Sequence, residues 1–351
     1  MGLDPYLSVV VATRDDNHGG DPQARLKAAL GVYKKQAEAL KFPIEYIIMD
    51  WNSPKGSTGI YPQVKTWGLK SDYLKIRVIQ VSEAIHRKID EAKIPFYQMI
   101  AKNVGIRRAT GKFILASNID IFLDDALIQR ISKRNLNEKL MYRCDRVDLD
   151  HKLLKSLLTK KFFSDFESMV TRKHCRYKSV LQKDLRVFLQ CQNLKIPTVS
   201  SQVPFVKYLK EKIRLWKKHF GIHGSNGFNL HTNGCGDFTL LSKRAWHALR
   251  GYPEFKVFSF HIDSIFCHQA HESGFFEYVF PDDLIHYHID HSDGWTPETN
   301  DQLLGRLRMH NIPFIESQFD VLVDVCRRTK KPLFNSSDWG LIGNLFKERF
   351  V

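Results

Sequence analysis

Acidic and amide side chains stand directly after apolar runs in this sequence: Asp15 after Leu7 to Ala12, Asp50 after Ile44 to Met49, and Asn118 and Asp120 after Phe113 to Leu115. In an open α/β sheet such strand ends share one rim, and ligands collect there. Further along come Asp237 in a Gly-Cys-Gly-Asp loop, Asp263 in His-Ile-Asp-Ser, and an H-x-H-x-x-H cluster of His286, His288 and His291. Carboxylates and imidazoles together suit a divalent cation. A carboxylate can also accept hydrogen bonds from a nucleobase or ribose, or take a proton from a hydroxyl.

The intervening pattern predicts the elements that hold these groups. Leu7 to Ala12 has the length and continuity of a buried strand, and it empties into a polar, glycine-punctuated loop. Asp21 and Pro22 open a helix whose Leu26, Leu30, Tyr33 and Ala37 recur at helical spacing as far as Leu40. Strands follow at Ile44 to Met49 and Ile76 to Val81. A helix carrying Met99, Ile100, Val104 and Ile106, the Ala109-Thr110-Gly111 turn and the strand Phe113 to Leu115 come next. A helix near Asp124 to Arg134 and a strand near Met141 to Val147 close the first half. After residue 221 the spacing predicts strand Phe238 to Leu241, a helix capped by Ser242 and stopped at Gly251, and a helix from His261 to Gly274. Strands Phe276 to Phe280 and Leu284 to Ile289 follow, and then a helical C-terminus. This alternation is that of an α/β chain with a mostly parallel sheet.

The net charge is +15, from 53 Lys and Arg against 38 Asp and Glu. Residues 151–220 carry 17 basic and four acidic side chains, so the excess sits almost wholly there. Phe205, Leu209, Ile213, Trp216 and Phe220 share one helical face, with lysines and Arg214 over much of the rest. Such a helix suits an anionic membrane surface, and equally the commoner arrangement of a core-packed helix with a solvated lysine face. The six cysteines are scattered without a C-x-x-C pair, which points to free thiols in a reducing compartment. No apolar run is long enough to span a bilayer, so a cytoplasmic protein is expected, with peripheral membrane contact through 205–220.

Taken together, Ala101-Lys102-Asn103-Val104-Gly105, Ala109-Thr110-Gly111-Lys112-Phe113-Ile114 and Asn118-Ile119-Asp120 resemble the A-x-N-x-G, A-x-G-x-(Y/F)-I and D-x-D run of GT-A glycosyltransferases close to family 2. The likeness extends to the first strand with its Thr-Arg-Asp-Asp loop, to Asp50, and more loosely to His231 through Asp263. It departs at Asn118, which stands where the first Asp of D-x-D would be. The resemblance implies a GT-A-type, Rossmann-like central sheet flanked by helices, with a basic helical insert and C-terminal helices. It divides the chain into a donor-binding half (1–150), a basic, mainly helical insert (151–220), an acceptor and catalytic half (221–298) and a helical extension (299–351).

The resemblance further implies transfer of a sugar from a nucleoside-diphosphate donor, UDP first and GDP second, to a hydroxyl of a glycan or lipid-linked acceptor. Thr13, Arg14, Asp15, Asp50, Asn103 and Asn118 would contact the donor. Asp120, with His288 and then His291, would hold Mn2+ or Mg2+. Asp263 would act as base in an inverting displacement, with Asp237 as its competitor or as the residue that orients the acceptor; a retaining enzyme would need no such base. Two other classes stay open. A nucleotidyltransferase would need a basic, glycine-rich loop after the first strand, where Arg14-Asp15-Asp16 is too acidic. A nucleic-acid or membrane-binding protein would use the basic segment itself, although nucleic acid is the less expected partner because no binding motif accompanies the charge.

Overall fold

The apolar run after Tyr6 is β1 (Leu7–Thr13), and every residue of it is buried. Its side chains alternate between two cores: Val9 and Val11 belong to one, Val10 and Ala12 to the other. A strand apolar on both faces must be covered on both, and helices do the covering. The computed structural model describes residues 3–17, 20–89, 94–152, 154, 170–175, 178–181, 222–223, 227–228, 230–291, 300–329 and 331–351. The amphipathic helix expected over 205–220 lies outside the described residues.

α1 (Pro22–Leu40), with Pro at its start, leads to β2 (Ile44–Trp51), and α2 (Ile60–Thr66) to β3 (Leu74–Val81). α3 (Glu83–Ile89) and α4 (Gln98–Arg108) precede β4 (Phe113–Ala116) and the short β5 (Ile121–Leu123). α5 (Asp125–Ser132) is capped by the Asp124 side chain, which accepts from the Ala126 N–H. The expected single strand near Met141 is two, β6 (Leu140–Arg143) and β7 (Arg146–Leu149), because the chain changes sheets at Cys144 and Asp145.

Most of the 151–220 segment, and with it the helical expectation, lies outside the described residues. Its described part contains β8 (Val170–Cys175) and β9 (Lys178–Leu181), an antiparallel hairpin that extends the sheet begun by β7. β10 (Ile222–His223) and β11 (Gly227–Phe228) form a small pair. Then come β12 (Thr239–Ser242), α6 (Lys243–Leu249), α7 (Ile262–Glu272), β13 (Phe276–Val279) and β14 (His286–Ile289). α8 (Asn300–Met309) and α9 (Gln318–Arg328) are the expected C-terminal helices. The last element is not a helix but β15 (Lys347–Phe350), because Lys347 to Phe350 pairs antiparallel with the otherwise open edge of β3.

The main sheet has the order β13-β6-β12-β4-β1-β2-β3-β15. β4, β1, β2 and β3 are parallel, and β12 runs antiparallel to β4. This is the mostly parallel, helix-covered α/β architecture that the sequence predicts. A second sheet, β5-β14-β7-β8-β9, starts from β5, which follows the carboxyl end of β4 after a short turn.

Gly105 sets how closely α4 approaches this sheet. A Cβ there would lie 2.6 Å from Val10 Cγ1 and 3.2 Å from Met49 Sδ, so only glycine fits without movement. Gly105→Ala is therefore expected to cost about 1–3 kcal/mol through overpacking, read as a lower urea midpoint at unchanged slope.

Candidate active site

The turn after β4 brings Asp120 into the space between the two sheets. β14 runs antiparallel to β5, with His288 opposite Ile121, so its imidazole reaches the same space, and His291 follows just past the strand end. His288 Nε2 lies 3.9 Å and His291 Nε2 3.6 Å from Asp120 Oδ2. One donor atom from each of the three side chains falls within 4.8 Å of the others. The other carboxylate oxygen, Asp120 Oδ1, is buried without a hydrogen-bond partner among the described residues. An orphaned buried carboxylate oxygen beside two imidazoles fits a divalent cation such as Mn2+.

A further cation touches this cluster. Arg25, on the buried face of α1, forms a buried ion pair with Asp120 Oδ2. Burial raises the Asp120 carboxyl, but His288, Arg25 and His291 outweigh it and hold Asp120 below the usual carboxylate range. Burial drives His291 down to about 4 against the pull of Asp120. His288 goes the other way: burial and Arg146 lower it, yet the hydrogen bond to Asp148 and the charge of Asp120 leave it raised. His286 shares a face with His288 in the sequence pattern but is a core residue. It is fully buried, 3.1 Å from Cys144 Sγ and stacked on Phe238, and burial takes it down to about 3.

Asp237 joins the cluster from the loop before β12. Its Oδ1 accepts from Asn118 Nδ2 at 2.6 Å and its Oδ2 from Arg146 Nη1 at 2.7 Å, while Ser117 Oγ donates to its carbonyl at 2.8 Å. Gln98 Nε2 donates to Asn118 Oδ1 at 2.9 Å. Burial opposes ionisation of Asp237, but Arg146 above all, with His288 and His286, holds its carboxyl far below the usual range.

Asp263 lies in the first turn of α7 and is half-buried. Its Oδ1 accepts from the Ser264 N–H at 2.9 Å, and a Cβ placed on Gly236 would come within 2.9 Å of its Oδ2. The glycine next to Asp237 thus leaves the room that Asp263 occupies.

The remaining expected donor contacts separate into two groups. Thr13 pairs with Asp50 across β1 and β2. Asp50 accepts from Ser53 Oγ and from the Ile60 N–H, and burial raises its carboxyl. Asp15 accepts from Gln23, Gln63 and the Gly59 N–H at 2.8, 2.8 and 3.0 Å, and Arg14 donates to the Pro95 carbonyl at 2.8 Å while pairing with Asp16. These four shape the rim loops.

Asn103 does not join them. Its amide donates to the Tyr252 carbonyl and to Glu254 Oε1 and accepts from the Tyr252 N–H, so it ties α4 to the loop after α6. Both N–H groups of the Asn103 amide are thus engaged inside the protein. The neighbouring Lys102 faces the site instead. It is fully buried, donates to the Gly236 carbonyl at 2.8 Å, and is lowered to about 8 by burial against the opposing charges of Asp237, Asp263 and Asp120.

No family model matches the chain, and no curated protein does. Among solved structures it is similar to the mannosyltransferase PcManGT from Pyrobaculum calidifontis, solved in complex with GDP-Man and Mn2+, at 14% identity, with 92% of this chain and 69% of that one covered and a TM-score of 0.41. It is also similar to residues 1–349 of TarS from S. aureus, at 12% identity, with 92% and 71% covered and a TM-score of 0.43. At these identities and TM-scores the likeness carries no residue role, donor or acceptor to this chain.

Proposed function

We propose that the protein is a metal-dependent glycosyltransferase that moves a sugar from a nucleoside-diphosphate donor to a hydroxyl of a glycan or lipid-linked acceptor. The observation that carries this reading is the meeting of Asp120, His288 and His291 at the carboxyl rim of the sheet, with Asp237 and Asp263 beside them. Asp120, His288 and His291 would hold the divalent cation, which when bound neutralises the charge gathering on a departing diphosphate. Asp15 and Asp50 stand on the rim loops where nucleoside hydroxyls or base N–H groups can be read, UDP being the first expectation and GDP the second. Lys102, which donates to the Gly236 carbonyl, brings a positive charge close to Asp237, Asp263 and Asp120.

In an inverting transfer, the acceptor oxygen bonds to the anomeric carbon as the bond from that carbon to the diphosphate oxygen breaks. The electron pair leaves with the nucleoside diphosphate. Asp263 takes the hydroxyl proton, and Asp237, already committed to Arg146 and Asn118, orients rather than accepts. Among the described residues no helix is long and apolar enough to cross a membrane.

A thermal-shift screen of UDP, GDP, CDP and ADP, each with and without Mn2+, tests class, base and metal together. A midpoint rise with one diphosphate that requires Mn2+ is expected. No rise with any diphosphate, alongside salt-sensitive retention on nucleic acid, would overturn the reading.

A further inference from the structure

His288 reaches Asp120 with one ring nitrogen, and its other nitrogen is equally committed. β14 lies parallel to β7, and His288 stands beside Asp148 in register. His288 Nδ1 is 3.1 Å from Asp148 Oδ1. Asp148 is almost wholly buried, yet it is surrounded by cationic and N–H partners: Arg146 Nε at 2.9 Å from Oδ1, and His174 Nε2 at 2.9 Å from Oδ2. An arginine does not give up its proton, so the ion pair with Arg146 fixes Asp148 as the ionised carboxylate. A carboxylate so placed offers no proton and can only accept. The neutral His288 ring must then carry its proton on Nδ1, leaving the Nε2 lone pair turned toward Asp120 Oδ2.

Two acceptor atoms facing each other in a buried site repel unless a proton or a metal cation lies between them. We infer that Asp148, clamped by Arg146 and His174, is a positioning residue that fixes the His288 ring and tautomer so that Nε2 is presented as a metal ligand. Histidine ligands whose second nitrogen donates to a carboxylate are held in orientation and made more basic by it, and loss of that partner weakens metal affinity by about 10–100-fold. The same arrangement couples two parts of the site. Arg146 bridges Asp148 to Asp237, so the group that aims the metal ligand also fixes the acceptor-side carboxylate. His174 comes from β8, which places part of the 151–220 segment in support of the site.

This inference rests on the metal reading above, and the test separates the two. Imidazole 15N shifts of the metal-free protein, at a pH where the ring is neutral, are compared in wild type and in His288→Gln, whose missing signal assigns the residue. Mn2+ affinity is measured by titration followed by electron paramagnetic resonance in wild type, His288→Gln and Asp148→Asn. The expected result is an Nδ1–H tautomer for wild-type His288 and Mn2+ binding about 10–100-fold weaker in Asp148→Asn. An Nε2–H tautomer in the wild type overturns the inference even where Asp148→Asn does not fold. So does an Asp148→Asn variant that binds Mn2+ as tightly as wild type while His288→Gln binds weakly. Failure of the wild type to bind Mn2+ at all would sink the metal reading, and this inference with it, whatever the tautomer.

Discussion

Asp120→Ala is expected to abolish Mn2+ binding and to lower kcat/KM by about 1000-fold or more, at the upper end of what a single charge-stabilising group contributes. It should also lower thermal stability, for a separate reason. Arg25 and Asp120 form an ion pair with side-chain exposures of only 2% and 6%, and stranding one partner of a buried pair costs about 3–5 kcal/mol. The two effects can be pulled apart. The double variant Arg25→Gln, Asp120→Asn removes both charges together, and removal of a whole buried pair is often close to neutral. Its melting midpoint should return toward the wild-type value while Mn2+ binding and turnover stay lost. Recovery of turnover along with stability would show that Asp120 serves the fold alone.

Much of this architecture was legible because the strands are short, apolar and bounded by turn formers. β1, α1, β2, β3, β4, α6 and α7 fall within a few residues of where period and caps place them. What the sequence could not show was where a strand changes sheets. Met141 to Val147 is one continuous pattern, yet its two halves belong to different sheets, and the break at Cys144 and Asp145 depends on partners far along the chain. The C-terminal strand was missed because it is largely exposed, and its pairing with β3 is set by an open edge rather than by burial. In the candidate site the rim carboxylates were visible as polar groups at strand ends. The side chains that hold them were less so.

Arg25 sits on the Pro22, Leu26 and Ala29 face of an otherwise apolar helix side, and Arg146 and Asp148 alternate inside a strand. Charged residues in such positions are almost never buried unless paired, and that is the signal that could have singled them out. Asn103 and Lys102 show the finer limit. Adjacent residues on a helix point about 100° apart, so a motif that contains both does not say which of them faces the rim.

Asp263→Asn should lower kcat by about 100- to 10,000-fold, the usual range for loss of a general base, with KM for the donor little changed. The fold should persist, because the asparagine carbonyl can still accept from the Ser264 N–H. Asp237→Asn is expected to behave differently. Asp237 is pinned by Arg146 and Asn118 and held strongly ionised, which makes it a poor proton acceptor but a strong structural anchor. Its replacement should lower the melting midpoint and turnover together. Gly236→Ala offers a third reading that leaves both carboxylates in place. Its Cβ would press on Asp263 Oδ2 from 2.9 Å, so the side chain must turn aside, and kcat should fall with only a small change in stability. Product stereochemistry by NMR completes the argument, since inversion requires a base and retention does not. An Asp263→Asn enzyme that turns over within a few-fold of wild type and retains configuration would remove Asp263 from the chemistry and leave the carboxylate to shape the acceptor pocket.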